Sequence, residues 1–161
     1  MAIGELLARF GGGLFQQAYV VDDLAAAEAA MRGSLGCGEF VELPASDLGY
    51  VLRGQPVQCA LAIGFARSGD LQIELLQPVR GVGLHVEFLR DRGPGLHHLG
   101  FMVDDRDATI AAADALGFPS VMSGEFGSLR FAYLDTVAAL GVFAEIVEDP
   151  DGMLMGMMPW R

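Results

Sequence analysis

The sequence predicts an α+β fold: two tandem βαβββ modules, related by a pseudo-twofold axis, each curving its sheet into a half-barrel. Two pairs of similar segments lead to this prediction. Residues 14–24 read LFQQAYVVDDL and residues 96–106 read LHHLGFMVDDR, and further on LQIELLQP at 71–78 matches FAEIVEDP at 143–150. Self-similarity separated by about half the chain indicates two copies of one supersecondary unit.

The first module, residues 14–80, opens with a strand at 15–21. Asp23 is placed to cap a helix whose many alanines favour it as far as about Arg32. Glycines then end the helix and turn the chain, at Gly33, Gly36 and Gly38. Alternating or continuous apolar residues predict the remaining strands at 39–43, 50–53, 57–66 and 70–77.

The second module, residues 96–149, repeats the pattern with a strand at 97–103. Asp105 caps a helix that runs to Leu116, and Gly117 stops it. The remaining strands are predicted at 118–122, 129–135 and 141–148.

Three segments lie outside the modules. Residues 1–13 read as an N-terminal appendage on a triple-glycine hinge. Residues 81–95 form a connector with a short amphipathic helix that ends at Gly93-Pro94-Gly95. Residues 150–161 form a methionine-rich tail with Trp160, which we expect to pack against the body or a subunit partner, or alternatively to line the substrate site.

Composition limits the function classes. A chain of 161 residues that is 52% hydrophobic can bury one good core or two small modules with a shared interface. No apolar run approaches the roughly 18–20 residues that span a bilayer, and the N-terminus lacks a clear cleavage site, so we expect a soluble, cytoplasmic protein. Cys37 and Cys59 lack metal or redox spacing and are expected to be free buried thiols.

Charge excludes two further classes. The net charge of −11 argues against nucleic acid, whose phosphates require a basic surface. All ten basic residues are arginines, so Schiff-base chemistry, which needs a lysine amine, is excluded.

The repeated positions carry potential metal ligands. Gln16 is equivalent to His98 in the first strands, and Glu74 is equivalent to Glu145 in the last strands. A carboxylate within an apolar strand is costly to bury unless it is paired, hydrogen-bonded or coordinated. If the half-barrels pair around the twofold axis, the four side chains meet inside and offer one imidazole nitrogen and three oxygens.

Three of these candidate ligands also have an ordinary structural explanation. A histidine such as His98 on an apolar strand often has only a structural role, Glu74 could be a solvated residue on an edge strand, and Gln16 an ordinary surface amide. Of the other histidines, we expect His97 on the opposite face of the strand, in a structural or supporting role, and His85 facing solvent on the connector helix.

Five stretches resemble the vicinal oxygen chelate superfamily, also called the glyoxalase, bleomycin-resistance and extradiol dioxygenase superfamily. They are QQAYVVDDLAAA (16–27), LGCGEF (35–40), LQIELLQP (71–78), FLRDRGPGLHHLGFMVDD (88–105) and YLDTVAALGVFAEIVE (133–148). Within the superfamily, the chain is most similar to methylmalonyl-CoA epimerases and their glyoxalase-like relatives. The resemblance implies a glyoxalase-like half-barrel fold.

The resemblance also implies metal ligands at Gln16, Glu74, His98 and Glu145. Epimerases of this kind usually have histidine where this chain has Gln16, and often glutamine where it has Glu74. The ordered set is instead similar to that of zinc-type glyoxalase I, although the arginine and asparagine pattern expected for glutathione is missing. The ligand set and the surrounding sequence therefore point to different members of the superfamily.

The expected function is that of a metal-dependent isomerase, epimerase or lyase. An oxygen-rich site with one imidazole suits Co, Ni, Mn, Zn or Fe, and such an ion stabilises the enolate formed when a proton leaves the carbon next to a carbonyl. The base would be Glu145, or Glu42 from the first sheet. The expected substrate is an acyl-CoA or a small carbonyl acid, and we expect a homodimer because open half-barrel edges need covering.

Two alternatives remain open at this stage. One is a metal-free small-molecule binding protein of the same fold, similar to the bleomycin-resistance members. The other is an Fe(II) ring-cleaving dioxygenase, although such sites generally use two histidines and one glutamate, and only His98 serves here.

Overall fold

The strands of both modules join in one sheet that closes on itself as an eight-stranded barrel, in the order β1-β4-β3-β2-β6-β7-β8-β5. The computed structural model describes residues 2–11 and 13–156. In chain order its elements are α1 (Ile3–Arg9), β1 (Gly13–Val20), α2 (Leu24–Leu35), β2 (Val41–Leu52), β3 (Gln55–Ser68), β4 (Leu71–Gly81), α3 (Leu84–Arg92), β5 (Gly95–Met102), α4 (Arg106–Ala115), β6 (Ser120–Phe126), β7 (Leu129–Leu134), α5 (Val137–Leu140), β8 (Phe143–Glu148) and α6 (Met153–Gly156).

The two halves of the barrel have the same topology. In the first, β1 pairs in parallel with β4, and β4, β3 and β2 follow as antiparallel neighbours. In the second, β5 pairs in parallel with β8, and β8, β7 and β6 follow in the same way. Antiparallel pairing of β1 with β5 and of β2 with β6 joins the halves. The predicted α+β fold of two βαβββ modules is confirmed.

The predicted helix signals act as expected. The Asp23 carboxylate accepts a hydrogen bond from the backbone N–H of Ala26, and the Asp105 carboxylate accepts one from Ala108. Each bond satisfies a backbone donor that has no partner within the first turn. Gly36 ends α2 in the left-handed region at a φ of 62°, where glycine has no steric penalty.

The predicted strands 39–43 and 50–53 are parts of one long strand, β2. Pairing with β3 shifts register between Leu43 and Ser46, where two residues of β2 face one of β3. Pro44 lies in this bulge, which tolerates its missing N–H and lets the strand continue. A two-residue turn at Arg53 and Gly54, with φ of 48° and 80°, then leads directly into β3, as type I′ hairpin turns do.

The N-terminal segment packs on the body of the second module. Leu6 and Leu7 of α1 are buried, and with Val103 and Ile146 they belong to one apolar cluster. The segment predicted as an appendage thus contains a helix of about two turns, which packs against α4 and the second module because its apolar residues lie on one side.

The argument for a homodimer from open sheet edges does not hold within the described strands. Tyr50, Val51 and Leu52 of β2 pair with β6 of the same chain, which closes the barrel. The edges that we expected a second copy to cover are therefore covered internally.

Among residues 2–11 and 13–156, no helix has the length and apolar character needed to cross a membrane. The tail begins with the short helix α6, in which Leu154 is buried. The prediction for Trp160 lies outside the described residues.

Replacing Leu6 by alanine should lower the free energy of unfolding by about 2–5 kcal/mol, because the change leaves a cavity in a packed apolar cluster. Leu35→Ala is the matched control, since Leu35 is largely exposed at the end of α2. Urea unfolding of both variants measures the difference. Equal stability of Leu6→Ala and the wild type would show that α1 contributes nothing to the body.

Candidate metal centre in the barrel cavity

The four predicted ligands lie on four adjacent strands of the barrel, one on each of β4, β1, β5 and β8. Their register places small residues between them: Ala18 pairs with both Glu74 and His98. Gly100, the equivalent of Ala18 in the second module, pairs with both Gln16 and Glu145. A Cβ atom at Gly100 would lie 2.7 Å from Gln16 Oε1. The small residues at the equivalent positions 18 and 100 thus leave room for the four ligand side chains to approach one another.

The four side chains converge on the His98 imidazole. Its Nε2 lies 3.1 Å from Glu145 Oε2 and 3.4 Å from Glu74 Oε2. Gln16 Oε1 lies 3.2 Å from the same nitrogen. His98 is fully buried, and both carboxylates are 7% exposed. All four groups belong to one chain.

Gln72 is a member of the site that the sequence analysis missed. The Gln16 amide nitrogen donates to Gln72 Oε1, which turns the Gln16 oxygen towards His98. Gln72 is fully buried, and its Nε2 has no hydrogen-bond partner among the described residues. A period of two in β4 was the available signal, since it puts Gln72 and Glu74 on the same inner face.

Two more histidines and a tyrosine lie behind this cluster. The His97 and His98 Nδ1 atoms are 2.9 Å apart, and the His85 ring stacks on His97 with centroids 4.7 Å apart. His85 Nε2 lies 3.1 Å from the Tyr133 hydroxyl. The expectation that His85 faces solvent was wrong, because the first turn of α3 inserts into the barrel and buries it.

Burial and the carboxylates set opposite charge states for these histidines. Burial alone would lower the pKa of His98, but Glu145 and Glu74 outweigh it and raise that pKa to about 9. Burial, and next the charge of His98, lower the pKa of His85 to about 3, and burial lowers the pKa of His97 well below its usual value. Burial raises the pKa of Glu74. Of the three histidines, only His98 is therefore a charged imidazolium near neutral pH.

Two groups of described residues bring three possible ligand atoms within 4.8 Å of one another. The group of His85, His97 and His98 includes two rings stacked at an interplanar angle of 29°. Stacked rings cannot both direct their in-plane lone pairs at one ion. In the group of Glu74, His98 and Glu145, the ligand atoms face one another directly.

This second group and Gln16 fit a divalent cation. Ligand atoms about 2.1 Å from such an ion and adjacent around it are about 3 Å apart, close to the separations of 3.1–3.4 Å at His98. Three oxygens and one imidazole nitrogen are donors that Zn²⁺, Mn²⁺, Fe²⁺, Co²⁺ and Ni²⁺ accept. The buried carboxylates supply the opposite charge.

A cavity of about 370 Å³ borders the centre. Gln16, Glu74, Glu145 and Tyr133 form part of its wall at the buried end. Most of the remaining wall is apolar and comes from the inner faces of β2, β3 and β7. A bound molecule would thus contact both carboxylates at the buried end of a mainly apolar cavity.

Glu42, the second predicted base, does not belong to the site. Its side chain is exposed, whereas its neighbour Leu43 lines the cavity. Successive residues of a strand point to opposite faces, so Leu43 and Glu42 cannot both reach the interior. The structure brings together Gln16, Glu74, His98 and Glu145 and leaves Glu42 outside.

Comparison with known proteins gives a family and a fold. Residues 15–133 match the family model described as the glyoxalase/bleomycin resistance protein/dioxygenase superfamily. Methylmalonyl-CoA epimerase from Mycobacterium tuberculosis is 24% identical, with a TM-score of 0.59 over 89% of this chain and 91% of its own. A hypothetical protein from Bacillus halodurans is 24% identical, with a TM-score of 0.60 over 86% of this chain and 94% of its own.

A third similar structure is a variant methylmalonyl-CoA epimerase from Streptomyces coelicolor in complex with 2-nitronate-propionyl-CoA. It is 24% identical, with a TM-score of 0.56 over 85% of this chain and 96% of its own. Among curated proteins, a sequence search finds no match. At this identity, likeness to the solved structures shows the fold alone.

In the presence of a chelator, the free energy of unfolding should fall as the pH rises from 6.5 to 9. The folded protein keeps the His98 proton up to about pH 9, whereas the unfolded chain releases it near 6.5, so the stabilisation present below 6.5 is lost in this window. At about 1.4 kcal/mol per pKa unit, the loss is roughly 3 kcal/mol.

Urea unfolding across this pH range measures the loss. The matched control is the double variant Glu74→Gln, Glu145→Gln, which keeps the imidazole and removes the carboxylates that hold its proton. The decline should be absent there, and an equal decline in both proteins would contradict the charge assignment of His98.

Proposed function

The chain belongs to the glyoxalase/bleomycin resistance protein/dioxygenase superfamily, and we propose that it is a metal-dependent isomerase, epimerase or lyase. The reaction would remove a proton from the carbon next to a substrate carbonyl. One observation carries the proposal. The oxygens of one amide and two carboxylates, on three strands, lie within 3.4 Å of His98 Nε2 beside a cavity.

Gln16, Glu74, His98 and Glu145 would hold a divalent ion such as Co, Ni, Mn, Zn or Fe. Bound there, the ion would supply Lewis-acid stabilisation of the negative charge that develops on a substrate oxygen. Gln72 supports this role because it fixes the Gln16 amide with its oxygen towards the centre. Partners that orient ligands in this way contribute to metal affinity.

Glu145 is the proposed base. It borders the cavity, so a substrate carbon can approach its carboxylate, and the Tyr133 hydroxyl beside it fixes the orientation of that carboxylate. Burial and Glu145 keep the pKa of Tyr133 well above its usual value, so the hydroxyl retains its proton and donates. Most of the cavity wall opposite this carboxylate is apolar.

A metal-free binding protein is the second candidate function. It is favoured by the apolar cavity wall and by the His98 imidazolium, which already balances one of the two carboxylates. A ring-cleaving Fe(II) dioxygenase is less well supported. The ligand set typical of non-haem iron oxygenases is two histidines and one carboxylate, whereas here one imidazole faces two carboxylates.

Protein purified without chelator should contain about one equivalent of a divalent transition metal. His98→Ala should lower the affinity for the added metal by at least about 100-fold, because it removes the one nitrogen ligand and leaves two carboxylates unpaired. Elemental analysis and titration with Zn²⁺ and Co²⁺ measure both.

Glu42→Gln is the control for this experiment. It removes a carboxylate from the exposed face of β2 and should leave the metal content unchanged. Full metal content in His98→Ala would overturn the ligand assignment. Absence of binding by the wild type at millimolar metal would favour the metal-free binding protein.

The metal-loaded protein should catalyse exchange of solvent deuterium into the carbon next to a carbonyl. Suitable probes are propionyl-CoA and the neutral diketone 1-phenyl-1,2-propanedione, both of which carry such protons. Glu145→Gln should slow the exchange by about 100-fold or more, the usual contribution of a positioned base. NMR follows the loss of the proton signals. No exchange in either probe, or equal exchange by Glu145→Gln, would count against the proposed reaction.

A further inference from the structure

We infer that the cavity selects uncharged, largely apolar carbonyl compounds and rejects carboxylate-bearing acids and acyl-CoA thioesters. The carbonyl in this inference rests on the proposed function. The preference for an uncharged molecule rests on the wall of the cavity and on the charges of the centre.

Within residues 2–11 and 13–156, the wall offers no arginine or lysine as a counter-charge to an anionic ligand. It is built mainly of aliphatic and aromatic side chains, among them Leu48, Ile63, Phe65, Leu129, Phe131 and Val147. No arginine is among the residues that line it within the part of the chain that the structure describes. Because the sequence has no lysine, the remaining basic groups are His98 of the centre and His85, whose ring is buried against His97 and Tyr133.

The charge of the centre points the same way. Glu74 and Glu145 are the two carboxyl groups of the centre, and in their ionised forms a divalent ion would cancel both charges. A neutral carbonyl compound keeps that balance, and moving its proton to Glu145 leaves the total unchanged. A ligand carboxylate would instead add one uncompensated negative charge beside a mainly apolar wall. Burying such an unpaired charge costs several kcal/mol even after relaxation.

Two arginines on the outside of the barrel are engaged in ion pairs. Arg80 pairs with Asp47, and Arg130 pairs with Asp107 and Glu148. Asp47 lies between Ser46 and Leu48, which both line the cavity, so the pair with Arg80 lies on the outer face of the strand. These arginines are not directed at a ligand in the barrel.

The open end of the cavity is also apolar. Phe126 lines the cavity and is 47% exposed, and Leu43 and Pro44 lie on the same wall. The phosphates of coenzyme A need arginine or lysine donors where the thioester emerges, and the described wall provides none. An exposed phenylalanine at a cavity mouth instead suits an apolar group.

The volume sets the size of the ligand. About 370 Å³ is near the lower limit of ligand pockets, which span roughly 300–1,000 Å³. Such a cavity accommodates one ring with a short carbonyl-bearing chain, or an aliphatic compound of similar size.

Two probes of the same shape test the inference. In 1-phenyl-1,2-propanedione and benzoylformate, a methyl group and a carboxylate oxygen occupy the same place. Isothermal titration of the full chain should give at least about 100-fold tighter binding of the diketone in chelator, as expected for a buried unpaired charge. The diketone should remain preferred after metal loading, and propionyl-CoA should bind more weakly than the diketone in both states.

A variant pair isolates the role of the wall. Leu48→Arg places a cation at the cavity and should raise the affinity for benzoylformate by about 10-fold or more. Val51→Arg adds the same charge to the same strand on its exposed face and should leave the affinity unchanged. Thermal unfolding checks that both variants fold.

Each outcome bears separately on the inference and on the proposed function. Benzoylformate or propionyl-CoA binding as tightly as the diketone, or no binding of the diketone at millimolar concentration, would overturn the inference. If the wild type binds propionyl-CoA and Arg161→Ala does not, the binding depends on a residue outside the described part of the chain. That result would also overturn the inference. Selective diketone binding by a protein that holds no metal would support the inference and overturn the enzyme proposal.

Discussion

The site depends on one electrostatic constraint: two carboxylates share a single imidazole inside an apolar barrel. Glu74 and Glu145 both lie within 3.4 Å of His98 Nε2, and all three side chains are withdrawn from water. Such an arrangement is costly unless a cation balances it. In the folded chain a proton on His98 balances one carboxylate, and a divalent ion would balance both. The excess of negative charge therefore explains why the barrel would bind a cation and resist an anion.

The duplicated fold explains how these groups meet, and its asymmetry explains what they offer. Gln16 and His98 are equivalent by the repeat, as are Gln72 and Phe143, which pair with them in register. In the first module the Gln72 amide orients Gln16. In the second, Phe143 has no such group, and His97 contacts the His98 ring instead. Equivalent backbone positions thus hold an amide on one side of the axis and an imidazole on the other.

Features that depend on local pattern were predictable from the sequence. The caps at Asp23 and Asp105 follow from short-range hydrogen bonding, and the convergence of Gln16, Glu74, His98 and Glu145 follows from the repeat and strand alternation. The ligand role of these four side chains stays a prediction.

Features that depend on long-range packing were not predictable. The burial of His85 requires α3 to enter the barrel, and a nine-residue helix with mixed polarity gives no sign of which end is covered. The position of Glu42 depends on which face of β2 points into the barrel before the bulge at Pro44. The apolar side of α1 has a partner only once the second module has folded.

The centre and the wall place different limits on function, and they come from different parts of the fold. The donors lie on β4, β1, β5 and β8, around the β1–β5 joint between the modules, where Ala18 and Gly100 pair with the donor positions. The wall comes mainly from β2, β3 and β7, strands that carry none of the four donors. A family likeness that shows the fold therefore constrains the position of the centre more strongly than it constrains the substrate. Within residues 2–11 and 13–156, no arginine or lysine lines the cavity, and this property of the wall, rather than the overall likeness, is the basis of the inferred ligand class.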